Sequence, residues 1–211
     1  MSDAPASGKR GYHHGNLRAA LIEVTAGLIA ARGPQGFTVS EAAKRAGVSP
    51  AAVYRHFDGR EAMIAALALE GYRIFCDLME HAYESRAEAP LSAFMATGRA
   101  YLAFARRFPG HYVAMFESGI SIAADPDLSM AAARANAILE RAAEELGRHI
   151  PAERRPPAAM FSAHVWALSH GVVELFARGG PGRRSPYSPE DLLESGIGIY
   201  LRGLGLIPPD A

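Results

Sequence analysis

The chain is 211 residues long, 49% hydrophobic and 21% charged, with a formal net charge of zero. That apolar content supports a sizeable buried core and excludes wholesale disorder, while the lack of any run of 18 or more apolar residues excludes a membrane-spanning helix. One cysteine, Cys76, excludes an internal disulfide framework and fits a reducing cytoplasm.

The charges are unevenly spread. Residues 1–60 hold eight Lys or Arg against four Asp or Glu, an excess of four positive charges, with His13, His14 and His56 able to add to it. Residues 61–211 hold fourteen against eighteen, an excess of four negative charges. A basic head on an acidic body is the layout expected when only the head meets phosphate.

In chain order, Met1 to Arg10 is rich in Pro, Ser and Gly with no apolar stretch behind it, and reads as a disordered arm. From Asn16, a natural N-cap, apolar residues recur at Leu17, Leu21, Val24 and Leu28 until Gly33-Pro34 stops the helix. Three start signals follow. Thr38-Val39-Ser40-Glu41 is a capping box, Ser49-Pro50 pairs an N-cap with proline at the first helical position, and Asp58-Gly59-Arg60-Glu61 repeats the capping logic with aspartate as cap. Gly47 stands where a tight turn needs a left-handed residue. The expectation is two short helices, about 39–46 and 50–56, joined by a tight turn.

A long helix is expected from Arg60 through Ile64, Leu67, Tyr72, Phe75, Met79 and Tyr83 until Pro90 ends it. Further helical periods cover about 91–107, 109–116, 127–147, 157–178 and 189–204, with no strand signal and no internal repeat. The fold class is therefore all-α, with about nine helices. An N-terminal three-helix domain over 11–59 carries a helix-turn-helix, and a larger helical domain follows over 60–211.

The first helix of a DNA-reading helix-turn-helix crosses the backbone, and the second enters the major groove by its N-terminus. Such a pair packs closely, which Ala42, Ala43 and Ala46 against Val48, Val53 and Phe57 allow. Ser49, Pro50, Ala51 and Ala52 are small enough for the backbone to approach base edges, and alanine methyls suit thymine methyls. Tyr54, Arg55 and His56 then supply the side-chain types that clamp phosphates. For each there is a plainer role: a core tyrosine for Tyr54, a solvated charge for Arg55, and a solubilising charge for Lys44 or Arg45. His13-His14 lacks a third ligand, so no metal site is expected.

The stretch Phe37-Thr-Val-Ser-Glu-Ala-Ala-Lys-Arg-Ala-Gly-Val-Ser-Pro-Ala-Ala-Val-Tyr-Arg-His-Phe57 resembles the DNA-binding domain of the TetR (tetracycline repressor-like) regulators, and Tyr12-His-His-Gly-Asn-Leu-Arg18 resembles a lead-in common in that family. The resemblance covers roughly residues 10–75. It implies that Thr38, Ser49, Tyr54, His56 and Arg60 contact phosphates, while Ala51, Ala52 and Arg55 lie nearest the bases. Pro50 stands where many members carry a lysine or arginine. Tyr101-Leu-Ala-Phe-Ala-Arg-Arg-Phe-Pro-Gly-His-Tyr-Val-Ala-Met-Phe116, with Trp166, His170 and Gly171, resembles the C-terminal domain type named for its Trp-His-Gly motif. The resemblance implies that 60–211 is a helical ligand-binding and dimerisation domain for a small-molecule effector; the expectation is a repressor without cofactor, a two-fold homodimer on a palindromic operator, with reading helices about 34–36 Å apart.

The residues of the body bear on the same point. Phe75, Met79, Tyr83, Phe94, Tyr101, Phe104, Met115, Phe116, Trp166 and His170 are candidates to border a largely apolar pocket, with solid core as the plainer role for most of them. His170 shares a helix face with Trp166, four positions away, and a structural hydrogen bond suits it better than a ligand contact. Helix 157–178 carries Ala159, Ala163, Ala167 and Gly171 at spacings of four, and helix 189–204 carries Leu192, Leu193, Gly196, Ile199, Tyr200 and Gly203, so these two should build the dimer. Two rival readings stay open. One is a helical enzyme using Cys76 or a histidine, although no partner residue stands at a convincing spacing; the other is an architectural DNA-binding protein whose body only dimerises.

Overall fold

The computed structural model describes residues 17–178 and 185–208. The arm over 1–10, the Tyr12 to Asn16 lead-in with His13-His14, and residues 179–184 of the loop before Pro189 lie outside them. The described residues are helical, with no strand among them. In chain order the helices are α1 (Leu17–Arg32), α2 (Val39–Arg45), α3 (Pro50–Val53), α4 (Arg60–Glu84), α5 (Pro90–Arg107), α6 (Pro109–Phe116), α7 (Pro126–Gly147), α8 (Ala158–Val172) and α9 (Pro189–Gly203). Proline opens α3, α5, α6, α7 and α9, where its missing N–H costs no hydrogen bond and its fixed φ suits the first turn.

Several local expectations are corrected. The second short helix is a single turn, 50–53, and not 50–56: the chain leaves it through tight turns closed by His56 N–H to Val53 O at 2.8 Å and Phe57 N–H to Val53 O at 3.0 Å. Those turns carry Phe57 back into the core, 5% exposed, beneath the Arg18 guanidinium at 5.3 Å. Asp58 does not cap α4; Gly59 holds that position at φ +135°, a backbone that a side chain would strain, and no side chain caps the helix start. Pro90 starts α5 and does not end α4, which stops at Glu84 and gives way to turns closed by Arg86 N–H to Tyr83 O and Ala89 N–H to Arg86 O.

The capping box at Thr38 is half made. Its hydroxyl accepts from Glu41 N–H at 3.2 Å, but the Glu41 carboxylate turns to Arg32 at 2.7 Å and Arg45 at 3.8 Å. That choice ties α1 to α2. The helix expected over 157–178 is interrupted: α8 ends at Val172 and a π turn over Val173–Ala177 follows, closed by Arg178 N–H to Val173 O at 3.0 Å.

A continuous apolar core runs from Leu17 in α1 to Leu201 in α9, so head and body are packed into one another. Helices α4 and α6 both pack on α1, and α6 makes the closer crossing. Where it crosses α1, a Cβ on Gly110 would collide with the Ala26 carbonyl, and where it crosses α4, a Cβ on Gly71 would stand 2.7 Å from Met115 Sδ. The first crossing, backbone against backbone, requires glycine; at the second the flexible Met115 side chain would have to give way. At the head–body junction a cleft of about 540 Å³ lies between Gln35, the first turns of α4 and the 118–125 linker.

Candidate nucleic-acid interface and ligand cavity

The outer face of the α2–α3 pair is built from caps. Ser49 Oγ accepts from Ala52 N–H at 3.3 Å, which fixes the one-turn helix α3 and presents Pro50 and Ala51 outward. Thr38, Lys44, Ser49, Pro50, Ala51, Tyr54, Arg55 and His56 are exposed, while Ala52 is half-buried. Tyr54 is 57% exposed, so it is no core residue. Val53 and Phe57, both buried, hold this face to the body of the head. Arg60 stands apart from the rest: half-buried in the first turn of α4, it lines the cleft between head and body.

The body contains a hollow of about 300 Å³ between α4, α6, α7 and α8. Of the ten candidates, Phe75, Met115, Phe116 and Trp166 line it, together with Tyr72, Ile122, Ala132, Ala135, Asn136 and Leu139. The α7 residues fall outside the set that the sequence suggests. Their signal lies in the alanine-rich stretch 131–143: Ala132 and Ala135 stop short between bulky neighbours and so leave space. Phe94, Phe104 and Met79 lie in solid core, Phe94 against Phe161 at 5.2 Å and Phe104 against Phe75 at 5.2 Å. Tyr83 sits further along α4 beneath the Arg141 guanidinium.

Tyr101 and His170 lie behind the cavity wall. The hydroxyls of Tyr101 and Tyr112 each stand 2.9 Å from His170 Nδ1, while Phe116 packs on the imidazole at 5.4 Å between ring centroids and separates it from the hollow. Tyr112 stacks on the same ring at 5.8 Å and Trp166 packs against it at 5.4 Å. Burial pushes the Tyr101 phenol well above its ordinary pKa; burial, then Tyr101 and Glu174, raise Tyr112 further. Both therefore stay protonated, and because Nδ1 has a single lone pair the two hydroxyls share it, one also bonding to the other. Nothing in the sequence marks Tyr112 as the second tyrosine at this nitrogen. Nor does it mark Arg178, which the π turn sets over the Tyr112 ring at 5.0 Å and pairs with Glu117 and Glu174. Cys76 is buried, its Sγ 3.9 Å from Ala131 O, with burial pushing the thiol up to about 11. Among the described residues no three His, Cys, Asp or Glu side chains group as metal ligands.

The family model described as "Tetracyclin repressor-like, C-terminal domain" matches residues 94–200, and that described as "Bacterial regulatory proteins, tetR family" matches 21–67. The chain belongs to the TetR family. It is thus a DNA-binding transcriptional regulator, with its helix-turn-helix at α2–α3. Among solved structures, a protein of unknown function from Rhodococcus sp. RHA1 is 25% identical with a TM-score of 0.78, over 93% of this chain and 99% of that one. The TetR family transcriptional regulator PfmR from Thermus thermophilus is 21% identical with a TM-score of 0.68, over 87% and 98%. AibR, solved in complex with isovaleryl coenzyme A and operator DNA, is 18% identical with a TM-score of 0.64, over 87% and 97%. These last two likenesses show the TetR fold. No curated protein matches the chain.

Proposed function

We propose that this TetR-family protein is a cytoplasmic homodimeric repressor that leaves a palindromic operator when a small, largely apolar ligand enters the hollow beneath α6. The observation that carries the reading is the face from Thr38 to His56: polar and basic tips outward, small residues at the α3 start, and anchoring residues buried beneath. Residues 11–59 act as the reading head and 60–211 as the effector and dimer domain. On this reading Thr38, Ser49, Tyr54, His56 and Arg60 bind phosphates, and Ala51, Ala52 and Arg55 meet the bases.

Helices α8 and α9 supply the dimer face. Met160 and Ile199 are 52% and 65% exposed, Leu175 and Phe176 of the π turn are exposed as well, and Ala167 and Gly171 leave room for a second helix. Gly171, Gly198 and Gly203 meet nothing where a Cβ would stand, so packing within one chain does not call for glycine there. Close approach of a second copy about a two-fold axis does.

The geometry of α6 suits it to transmit occupancy. Its Met115 and Phe116 wall the cavity, its Gly110 rests on α1, and Met115 rests on Gly71 of α4. A ligand that displaces this end of α6 moves the helix on which the head is mounted, and the junction cleft lets the head tilt. Release requires that ligand bind the DNA-free arrangement more tightly than the DNA-bound one.

Fluorescence anisotropy with the intergenic DNA beside the gene tests this. The expected result is saturable, sequence-selective binding of two protomers that weakens steeply with salt. Equal binding to shuffled DNA would sink the regulator reading as applied to that operator, and binding as a monomer would sink the dimer.

A further inference from the structure

The apolar hollow has an annex with a different chemistry. A second recess of about 240 Å³ lies between α7 and α8, and Asn136, Leu139 and Trp166 line both. The two recesses thus adjoin along Asn136, Leu139 and Trp166, and Trp166 is 42% exposed. The inner hollow has no charged lining residue. The outer recess adds Glu140, Ala159, Ser162 and Ala163, and no Lys, Arg or His. Among the described residues the Glu140 carboxylate has no ion-pair or hydrogen-bond partner, whereas its neighbour one turn on, Glu144, faces Arg148 at 3.8 Å.

A recess lined by an indole and an unpaired carboxylate suits an organic cation, through the ring quadrupole and through charge. The same arrangement repels a carboxylate or phosphate group. We infer that the effector is a lipophilic cation, an amine or quaternary ammonium whose apolar body fills the inner hollow and whose charged end lies between Trp166 and Glu140. Acyl thioesters of coenzyme A, with their phosphates, are disfavoured by this lining. The inference rests on the effector reading above and narrows it to a chemical class. Asn136, at the boundary of the two recesses, offers an amide oxygen to the N–H of a primary amine.

Trp166 is the only tryptophan of the chain, so its fluorescence reports this site directly. The test titrates the full-length protein with three probes that share one carbon skeleton: 4-phenylbutylamine, 4-phenylbutan-1-ol and 4-phenylbutyrate. The expected order is amine tightest, by about tenfold over the alcohol, and butyrate weakest, each binding event changing the Trp166 emission. Glu140→Gln, a change at an exposed residue, should bring the amine to the level of the alcohol and leave the alcohol unchanged. Equal binding of amine and alcohol, or tighter binding of butyrate, overturns the cation assignment while leaving the cavity as an effector site. Binding seen by calorimetry with no change at Trp166 overturns the location. No binding of any probe by either method overturns the assignment and the effector reading together.

Discussion

Gly110 of α6 lies directly against the main-chain carbonyl of Ala26 in α1, closer than any side chain would allow. The body thus grips the head at a backbone-to-backbone crossing with no compliant side chain between. Gly110→Ala must push the two helices apart, and overpacking of this kind costs about 1–3 kcal/mol. The expected outcome is a lower urea midpoint together with a changed DNA affinity, because the displaced element carries the reading head. An unchanged DNA affinity in a destabilised variant would show that α1 does not transmit the shift.

The Tyr101–His170–Tyr112 cluster stiffens the wall behind the cavity. Tyr112→Phe removes one donor and leaves Nδ1 served by Tyr101, so a loss of about 1 kcal/mol is expected. His170→Leu takes away the acceptor that the two tyrosines share and leaves a buried hydroxyl unserved, which should cost about 2–3 kcal/mol. Chemical denaturation of both variants measures the difference. Equal costs would mean that the two tyrosines do not share the imidazole.

Stability should fall on the alkaline side. Burial holds Cys76 protonated up to about 11, against an ordinary value of 9.0. A raised folded-state value leaves stability intact below pH 9 and erodes it from there to about 11, because the unfolded chain ionises first. Tyr72, Tyr101 and Tyr112 act in the same direction above pH 10. Urea midpoints measured from neutral pH upward should be flat to about 9 and then decline. Below that point, the native thiol should resist alkylation that the unfolded chain accepts.

Tyr54 and Arg55 are exposed and support nothing inside the head. Tyr54→Phe and Arg55→Ala should barely move the melting temperature, since exposed substitutions cost about 0.5 kcal/mol or less. Arg55→Ala should weaken operator binding by about 1–3 kcal/mol and relax base preference. Tyr54→Phe should weaken binding alike on all sequences. Ser49→Ala separates structure from contact: losing the cap destabilises the head by about 1 kcal/mol as well as weakening binding.

The features legible in the sequence are those that depend on neighbours in the chain. Thr38, Gly47 and Ser49 act through the residues next to them, and the structure keeps each in its expected place. Asp58 looks like a cap but is displaced by the residue after it, because Gly59 can take a backbone angle that moves the cap one position on. Pro90 is ambiguous for a different reason: a proline that ends one helix and a proline that opens the next look alike without the turns between. The cavity is half legible. Its aromatic walls at Phe75, Phe116 and Trp166 follow from composition, but the room between them comes from Ala132 and Ala135 facing those rings across the fold, and that pairing is a tertiary fact. The same limit hides Tyr112 and Arg178, whose partners lie 58 and 61 positions away at His170 and Glu117.

Ligand-gated repression stands or falls on the protection of operator DNA by the full-length protein, read base by base with and without ligand. Two protected half-sites related by a two-fold axis are expected, with centres about 34–36 Å apart along the duplex or a multiple of that. Protection should fade as the amine probe saturates Trp166. A single unsymmetrical footprint, or a symmetrical one that persists at saturating ligand, would contradict it.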